Sequence, residues 1–129
     1  MSVLETQWWM LELPEEWQAD QQDEMILVSD QDGVGEIAIT TLEKEEGDVE
    51  DEDLLQLTDE LGQGKPITVS DLSGYYFEYR EEGDALREWY LGGDNLLILI
   101  TYVCDEENAG MDDAVVDEIL ATLALRIKD

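Results

Sequence analysis

The chain has 129 residues, the length of one ordinary domain, and 43% of them are hydrophobic, which is enough for a packed core. Its 35 Asp and Glu residues against 6 Lys and Arg residues give a formal net charge of -29. Such a chain repels phosphate backbones and anionic membranes, so we expect neither a nucleic-acid partner nor a membrane partner. Three origins of the charge stay open: solubility in a salt-adapted host, a surface for a basic protein, or a mimic of nucleic-acid charge. The even spread of the acids favours the first.

The residue types that are missing exclude several kinds of chemistry. The sequence has no histidine, which removes Ser-His-Asp and Cys-His nucleophiles, histidine-bound zinc and the usual general base. Its single cysteine, Cys104, forms no intramolecular disulfide, and the three acids that follow it raise a thiol pKa, so we expect a packed residue rather than a nucleophile. Because nothing distinguishes one carboxylate pair among 35 acids, we predict no catalytic residue and no cofactor.

Targeting signals are not found either. The segment 1–17 has no basic region and no long apolar run, and no stretch reaches the roughly 18 apolar residues of a membrane span. We therefore expect a cytoplasmic protein.

Three strands are predicted in the first third of the chain. Alternating or apolar β-forming residues mark them at 7–13 (QWWMLEL), 24–29 (EMILVS) and 35–43 (GEIAITTLE). The segment SDQDGVG joins the second strand to the third, so we expect a hairpin whose glycines take positive φ.

This hairpin segment partly resembles a calcium loop. If Asp30 is taken as the first position of an EF-hand loop, Asp32 and Gly35 match its third and sixth positions. The residue at the fifth position offers no side-chain oxygen, and Thr41 stands in place of the glutamate that closes such a loop. We therefore predict a turn and no dedicated metal site, with at most a weak cation contact by Asp30, Asp32 and Glu36. No lysine follows the glycines, which argues against a phosphate cradle.

Two helices and a strand meander are predicted in the remainder. Leucines three and four apart mark a helix over 49–62, and a wider apolar stripe marks a helix over 111–127. A strand at 67–72 precedes a three-strand meander over 74–106 with turns at 81–84 and 92–95. Both faces of its last strand are apolar, which predicts a central strand covered on both sides. The helix residues expected to pack on it are Val116, Ile119, Leu120 and Leu123.

The aromatic residues have two interpretations. Adjacent residues of a strand point to opposite faces, so Trp8 and Trp9 cannot both face one core, nor can Trp89 and Tyr90. Either helices cover both faces of the sheet or one face is a binding surface. Core packing is the commoner role of such residues, and the candidate binding residues are Trp9, Tyr76 and Trp89.

The order of elements resembles the Mog1/PsbP-like fold group. The residues that carry the resemblance are a first strand ending in LELPEEW, the SDQDGVGEIAI hairpin, a helix, the strands GYYFEYR, REWYL and LLILITY, and a C-terminal helix. Its members include a regulator of a Ran-type GTPase, an extrinsic photosystem subunit, DcrB-type lipoproteins and chaperones of type VI secretion effectors. The resemblance implies an antiparallel sheet with helices packed on it and a non-catalytic binding role. The lipobox cysteine of the lipoproteins and the transit peptide of the lumenal members are not expected in this chain.

From these observations we predict a single α+β domain over 1–129, with an antiparallel sheet of six or seven strands and helices packed on it. The predicted function is that of a small acidic bacterial binding or accessory protein without catalytic activity, acting through contact with a basic or apolar protein. The alternatives are a carboxylate-dependent hydrolase, an acidic immunity protein against a basic toxin, and a salt-adapted domain with no partner. Arg80 and Arg87 are expected to pair with acids across the sheet rather than to hold an anion.

Overall fold

The computed structural model describes residues 2–22, 25–30, 34–59, 64–70 and 72–125, and these form ten strands, two α-helices and a short 3₁₀ helix at Glu106–Asn108. The strands are β1 (Ser2–Glu5), β2 (Trp9–Leu13), β3 (Trp17–Gln22), β4 (Met25–Asp30), β5 (Gly35–Glu43), β6 (Lys65–Val69), β7 (Leu72–Glu81), β8 (Asp84–Gly93), β9 (Leu96–Asp105) and β10 (Ala124–Leu125). The helices are α1 (Asp51–Leu57) and α2 (Asp113–Ala121). Neither helix has the length and apolar composition needed to cross a lipid bilayer.

The strands form two antiparallel sheets. The larger has seven strands in the order β3-β4-β5-β9-β8-β7-β6, and the smaller has the order β1-β2-β10. The larger sheet consists of two meanders, β3 to β5 and β6 to β9, which are joined by the pairing of β5 with β9. This confirms the predicted fold class, an antiparallel sheet of six or seven strands with helices. The smaller sheet was not predicted.

The core lies between the two sheets, and α2 contributes to it. We call the side of the seven-stranded sheet that faces this core the inner face, and the opposite side the outer face. The inner face contributes buried Ile37, Ile39, Trp89, Ile98, Ile100 and Tyr102, β2 contributes Trp9, Leu11 and Leu13, and the chain from α2 onwards contributes Val116, Ile119, Leu120 and Leu123. Burial of each large side chain stabilises the fold by about 1.5–3 kcal/mol.

Strand β9 is the middle strand of the seven, as its apolar composition predicts. Its residues alternate between full burial on the inner face and partial exposure on the outer face. The prediction that β9 is covered on both sides is therefore wrong for the outer face. Strand β3 was not predicted because five of its six residues are exposed and polar or small, so the only buried member is Trp17.

Both helices are shorter than the sequence predicts. Helix α2 ends at Ala121 because the hydroxyl of Thr122 donates a hydrogen bond to the Ile119 carbonyl at 2.6 Å and accepts one from the Glu12 amide at 2.9 Å. The next residues then pair with β2 as β10. Helix α1 ends at Leu57, where the Thr58 hydroxyl donates to the Leu54 carbonyl at 3.1 Å. The predicted continuations at 60–62 and 126–127 lie outside the described residues.

The hairpin of β4 and β5 is confirmed, but the role of its second glycine is different from the predicted one. Gly35 pairs with Cys104 inside the sheet, and the structure gives it no positive φ. A β-carbon at this position would lie 2.2 Å from the Tyr102 hydroxyl oxygen, so glycine is needed there for space and not for turn geometry. The first glycine of the segment, Gly33, lies outside the described residues.

Candidate functional site

The structure buries two of the three aromatic residues that the sequence predicts as partner-binding residues. Trp9 and Trp89 are 0% and 2% exposed, so their rings lie in the core and cannot contact a protein at the surface. The indole N–H of Trp9 donates a hydrogen bond to the Thr41 hydroxyl at 2.8 Å, which satisfies its only polar group. This corrects the expectation for both tryptophans. Tyr76 keeps part of its surface exposed.

Tyr76 and Trp89 do lie together, and Arg87 joins them. The two rings are paired across β7 and β8 with centroids 5.2 Å apart, and the Arg87 guanidinium lies 4.7 Å from the centre of the Trp89 ring. Arg87 also donates to the Tyr76 hydroxyl at 2.6 Å and to Asp117 of α2 at 2.8 Å. The expected cross-strand ion pair is therefore replaced by contacts that fasten α2 to β8, and this cluster is part of the fold.

The predicted weak cation contact finds no support among the described residues. Asp32 lies outside them, whereas Asp30 ends β4 and Glu36 is exposed on β5. Within the described part of the chain, no group of three or more acidic or cysteine residues has the geometry to hold a metal ion.

Cys104 is buried on the inner face. Burial raises the pKa of its thiol, and the nearby Asp112 and Asp113 raise it further, which makes the thiolate scarce near neutral pH. The sequence predicted the direction of this shift from neighbouring charge, but the main cause is burial.

The feature that the sequence left undecided is the outer face of the large sheet. On the side of β7 and β8 it is covered: Leu54 of α1 is buried, Val49 lies against Gly92, and Gly64 lies against the ring of Phe77. On the side of β4, β5 and β9 the side chains are only partly buried, and Leu42 and Met25 are 39% and 41% exposed. We call this region the open patch, and it consists of Met25, Leu27, Ala38, Leu42, Leu97, Leu99 and Val103.

The strand register fixes the neighbours within the open patch. Leu99 lies opposite Thr40 of β5 and Tyr90 of β8, near the middle of the outer face. One row away, Ala38 lies opposite Thr101, which is itself opposite Glu88. An apolar area thus lies next to the carboxylate of Glu88.

Glu88 is the polar centre of the outer face. It is 9% exposed, and its carboxylate accepts hydrogen bonds from the hydroxyls of Tyr79 and Tyr90, the latter at 2.7 Å. The hydrogen bond to Glu88 raises the pKa of Tyr79 to about 12, and burial, followed by the bond to Glu88, raises the pKa of Tyr90. Among the described residues no Lys or Arg forms a salt bridge with Glu88. The carboxylate is held in place by neutral donors and retains capacity for a cationic one.

An acidic row borders the outer face at one end. Asp84 lies opposite both Asp105 and Glu81, and all three lie at the ends of their strands. Glu36 lies one row further in, opposite Val103. Like charges directly opposite each other destabilise a sheet, so this row lowers the stability of the fold unless a positively charged group approaches it.

The basic residues of the large sheet lie on its other side. Lys65 pairs with Tyr76, Arg80 with Ala85, and Arg87 with Tyr102, which places all three in the rows of the inner face. The described strands thus contribute no positive charge to the outer face. Its field is that of its carboxylates, namely Asp20, Glu36, Glu88 and the acidic row, within a chain of net charge -29.

The sequence contained part of this site. The apolar residues at 97, 99 and 103 alternate with the core residues of β9, which indicated a second apolar face but not whether a helix covers it. Glu88 could not be selected, because its importance depends on the register that brings Tyr79 of another strand to it. The only hint in the sequence is that Glu88 lies two residues from Leu86 and two from Tyr90, so the three side chains share one face of the strand.

Comparisons with known proteins give a likeness of fold. No family model matches the sequence, and no curated protein matches it. The chain is similar to a protein from Bacteroides thetaiotaomicron VPI-5482, with a TM-score of 0.72 and 16% identity over 94% of this chain. The alignment covers 46% of that protein, so this chain spans a little under half its length. At this identity the likeness shows the fold alone.

A second similar structure is that of cyanobacterial PsbP from Synechocystis sp. PCC 6803. It aligns with a TM-score of 0.47 and 12% identity, over 92% of this chain and 86% of the other. PsbP belongs to the fold group that the sequence motifs resemble. A relation to DcrB-type lipoproteins or to chaperones of type VI effectors stays a prediction.

Proposed function

We propose that this chain is a bacterial accessory protein that catalyses no reaction and binds a basic partner protein through the open patch. The observation that carries the proposal is the meeting of an apolar area, centred on Leu99, with the Glu88 carboxylate and the acidic row on one sheet face. The partner that fits it presents apolar side chains flanked by lysine or arginine.

The apolar part of the patch supplies the affinity of such a contact. Its side chains keep solvent-exposed surface in the free protein, and covering apolar surface contributes roughly 25 cal/mol per Å². Strand residues provide a rigid platform, so little conformational entropy is lost when a partner binds. Tyr90, at the border of the patch, adds a ring of the kind that is enriched at binding hot spots.

The charge selects the partner. A second copy of the same chain would bring another 29 negative charges to the face, so self-association is opposed by repulsion. A basic protein gains from the same field, both in the rate of encounter and in the pairing of a cation with Glu88. An acidic inhibitor of a basic toxin is one special case of this proposal.

The absence of catalysis is proposed from the available chemical groups. The chain has no histidine, and the thiol of Cys104 has a raised pKa and lies in the core. We also propose a cytoplasmic location, which fits a sequence whose one cysteine forms no intramolecular disulfide.

The test is an NMR titration of the isotope-labelled protein with a short peptide of alternating lysine and valine. We expect saturable shifts of the amide signals of β5, β8 and β9. A glutamate-valine peptide and a lysine-serine peptide serve as probes that lack the charge or the apolar side chains. We expect both to bind more weakly by at least about tenfold.

Two variants locate the contact. Leu99→Glu places a charge in the middle of the open patch and is expected to abolish the shifts. The control is Leu55→Glu, which changes a leucine that is 49% exposed on α1, outside the patch, and is expected to leave the shifts unchanged. The proposal is wrong if the lysine-valine peptide does not bind, or if both variants bind it as tightly as the unmodified protein.

A further inference from the structure

A cleft of about 740 Å³ lies at the other side of the large sheet, where the β1–β2 turn meets the ends of β3, β4 and β5. Its apolar walls include Leu4, Trp8, Ile26 and Ile39, and its polar walls include Gln21 and Thr41. This volume is within the range of cavities that hold small molecules. The cleft shares only Leu42 with the open patch, and the proposed function does not use it.

The turn at the edge of the cleft fixes the position of Trp8. The Thr6 hydroxyl oxygen accepts the backbone N–H groups of Trp8 at 3.2 Å and of Trp9 at 3.0 Å, and the hydroxyl donates to the Trp9 carbonyl at 3.1 Å. Two adjacent indoles therefore leave one rigid turn in different directions. Trp9 enters the core, and Trp8 forms part of the cleft wall.

The two indole N–H groups differ in a way that indicates a ligand. That of Trp9 is bonded to Thr41, whereas the N–H of Trp8 is buried and has no hydrogen-bond acceptor in the described structure. A buried donor without an acceptor costs about 1–3 kcal/mol. It is the one buried side-chain polar atom of the described residues in this condition, and it belongs to a residue that lines the cleft.

The charges around the cleft restrict what enters it. The chain as a whole carries a net charge of -29, so an anion is repelled. The aromatic wall and the two isoleucines favour a flat apolar molecule.

We propose that this cleft binds a planar, apolar small molecule that is neutral or cationic and carries a carbonyl or hydroxyl oxygen. The oxygen accepts the hydrogen bond of the Trp8 indole N–H, while the rest of the molecule lies against Ile26 and Ile39.

The probe for the test is prodan, a neutral naphthalene that carries a ketone and whose emission shifts to the blue on leaving water. We expect saturable binding of prodan, and weaker binding of anilinonaphthalene sulfonate, which has a similar ring system and a negative charge. Trp8→Phe keeps an aromatic ring but removes the donor, and is expected to weaken prodan binding by about 3- to 10-fold.

A filling variant tests the location independently of Trp8. Gln21 and Gln18 are both exposed on β3, but Gln21 lines the cleft and Gln18 points to the outer face. Gln21→Trp is expected to abolish prodan binding, and Gln18→Trp to leave it unchanged. Leu99→Glu removes the open patch as a competing site, and prodan binding is expected to survive it.

Absence of saturable prodan binding to the unmodified protein overturns the proposal, as does equal binding by the Gln21→Trp and Gln18→Trp variants. Loss of binding in Leu99→Glu but not in Gln21→Trp places the probe on the open patch, which overturns the cleft proposal and leaves the proposed function standing. Circular dichroism of each variant establishes that it is folded.

Discussion

The backbone of Gly35 lies against the phenol ring of Tyr102, so closely that a β-carbon on the glycine would sit 2.2 Å from the hydroxyl oxygen. The ring cannot easily yield, because it is 2% exposed and its hydroxyl donates to Asp112 at 2.6 Å. This contact ties β5 to the start of α2 through a residue of β9.

We therefore expect Gly35→Ala to lower the free energy of unfolding by about 1–3 kcal/mol, the usual cost of overpacking a core. Chemical denaturation provides the measurement. In a Tyr102→Ala background the same glycine change should cost much less, because the atoms that it meets are gone. Equal costs in the two backgrounds would show that the close contact is not the cause.

Arg87 holds α2 against β8 through both stacking and hydrogen bonding. Lysine keeps the charge but loses the planar group that lies over Trp89 and the forked donors that reach Tyr76 and Asp117. We expect Arg87→Lys to lower the free energy of unfolding by about 1–2 kcal/mol. Arg80→Lys, on an exposed neighbour in β7, is the matched control, with an expected change within about 0.5 kcal/mol. A similar small change in both variants would contradict the role assigned to Arg87.

The tyrosines predict an unusual alkaline titration. All five tyrosines have a pKa above the ordinary value of 10, and the hydrogen bond to Glu88 raises that of Tyr79 to about 12. In the folded protein we expect little tyrosinate absorbance at pH 10, whereas the protein unfolded in guanidinium should be about half ionised there.

The raised tyrosine pKa values also predict that the free energy of unfolding falls as the pH rises above about 10. A tyrosine whose folded pKa is raised binds its proton more tightly in the native state, so its contribution is complete below about pH 10 and is lost as pH rises through about 12. Tyr79→Phe should flatten this loss, as measured by denaturation at a series of pH values. An unchanged slope would mean that Tyr79 titrates normally.

Salt should stabilise the protein. The net charge of -29 and the facing pair Asp84 and Asp105 both repel, and ions of about 1 M salt screen exposed charges beyond about 3 Å. We expect the melting temperature to rise steadily from low salt to about 1 M sodium chloride. Asp105→Asn should raise the melting temperature at low salt and reduce the dependence on salt. A melting temperature independent of salt would indicate that the acids are tolerated without screening.

The elements that the sequence predicted are those governed by local rules. The β4–β5 hairpin and the turns after β7 and β8 follow from glycine and acidic residues between apolar runs, and the alternation in β9 identified the middle strand. Strand β3 and the early end of α2 follow from contacts with distant residues, such as the bond from the Glu12 amide to Thr122. Local patterns carry no information about such contacts.

The candidate site divides in the same way. Alternation showed that one sheet face carries apolar residues beyond a single core, but not which aromatic residues face it. The enrichment of tryptophan at binding hot spots made Trp9 and Trp89 candidates, but both are core residues, because a large aromatic side chain favours burial as much as binding. Glu88 and Trp8 can be identified only from the tertiary structure. Glu88 stands out because the hydroxyls of Tyr79 and Tyr90 donate hydrogen bonds to it, and Trp8 stands out because its buried indole N–H has no acceptor among the described residues.

The order of strands also has a consequence for folding kinetics. Each meander of the large sheet pairs only strands that are consecutive in sequence, so both can form by rapid local steps. Joining them requires β5 to find β9 across the intervening chain, which carries the larger entropic cost of loop closure.

Ile39→Val, opposite Ile100 at this junction, should therefore slow refolding in stopped-flow measurements, whereas Trp17→Phe at the edge strand should mainly accelerate unfolding. The rate at which the protein reaches its native state is then set at the same pair of strands that carries the middle of the open patch.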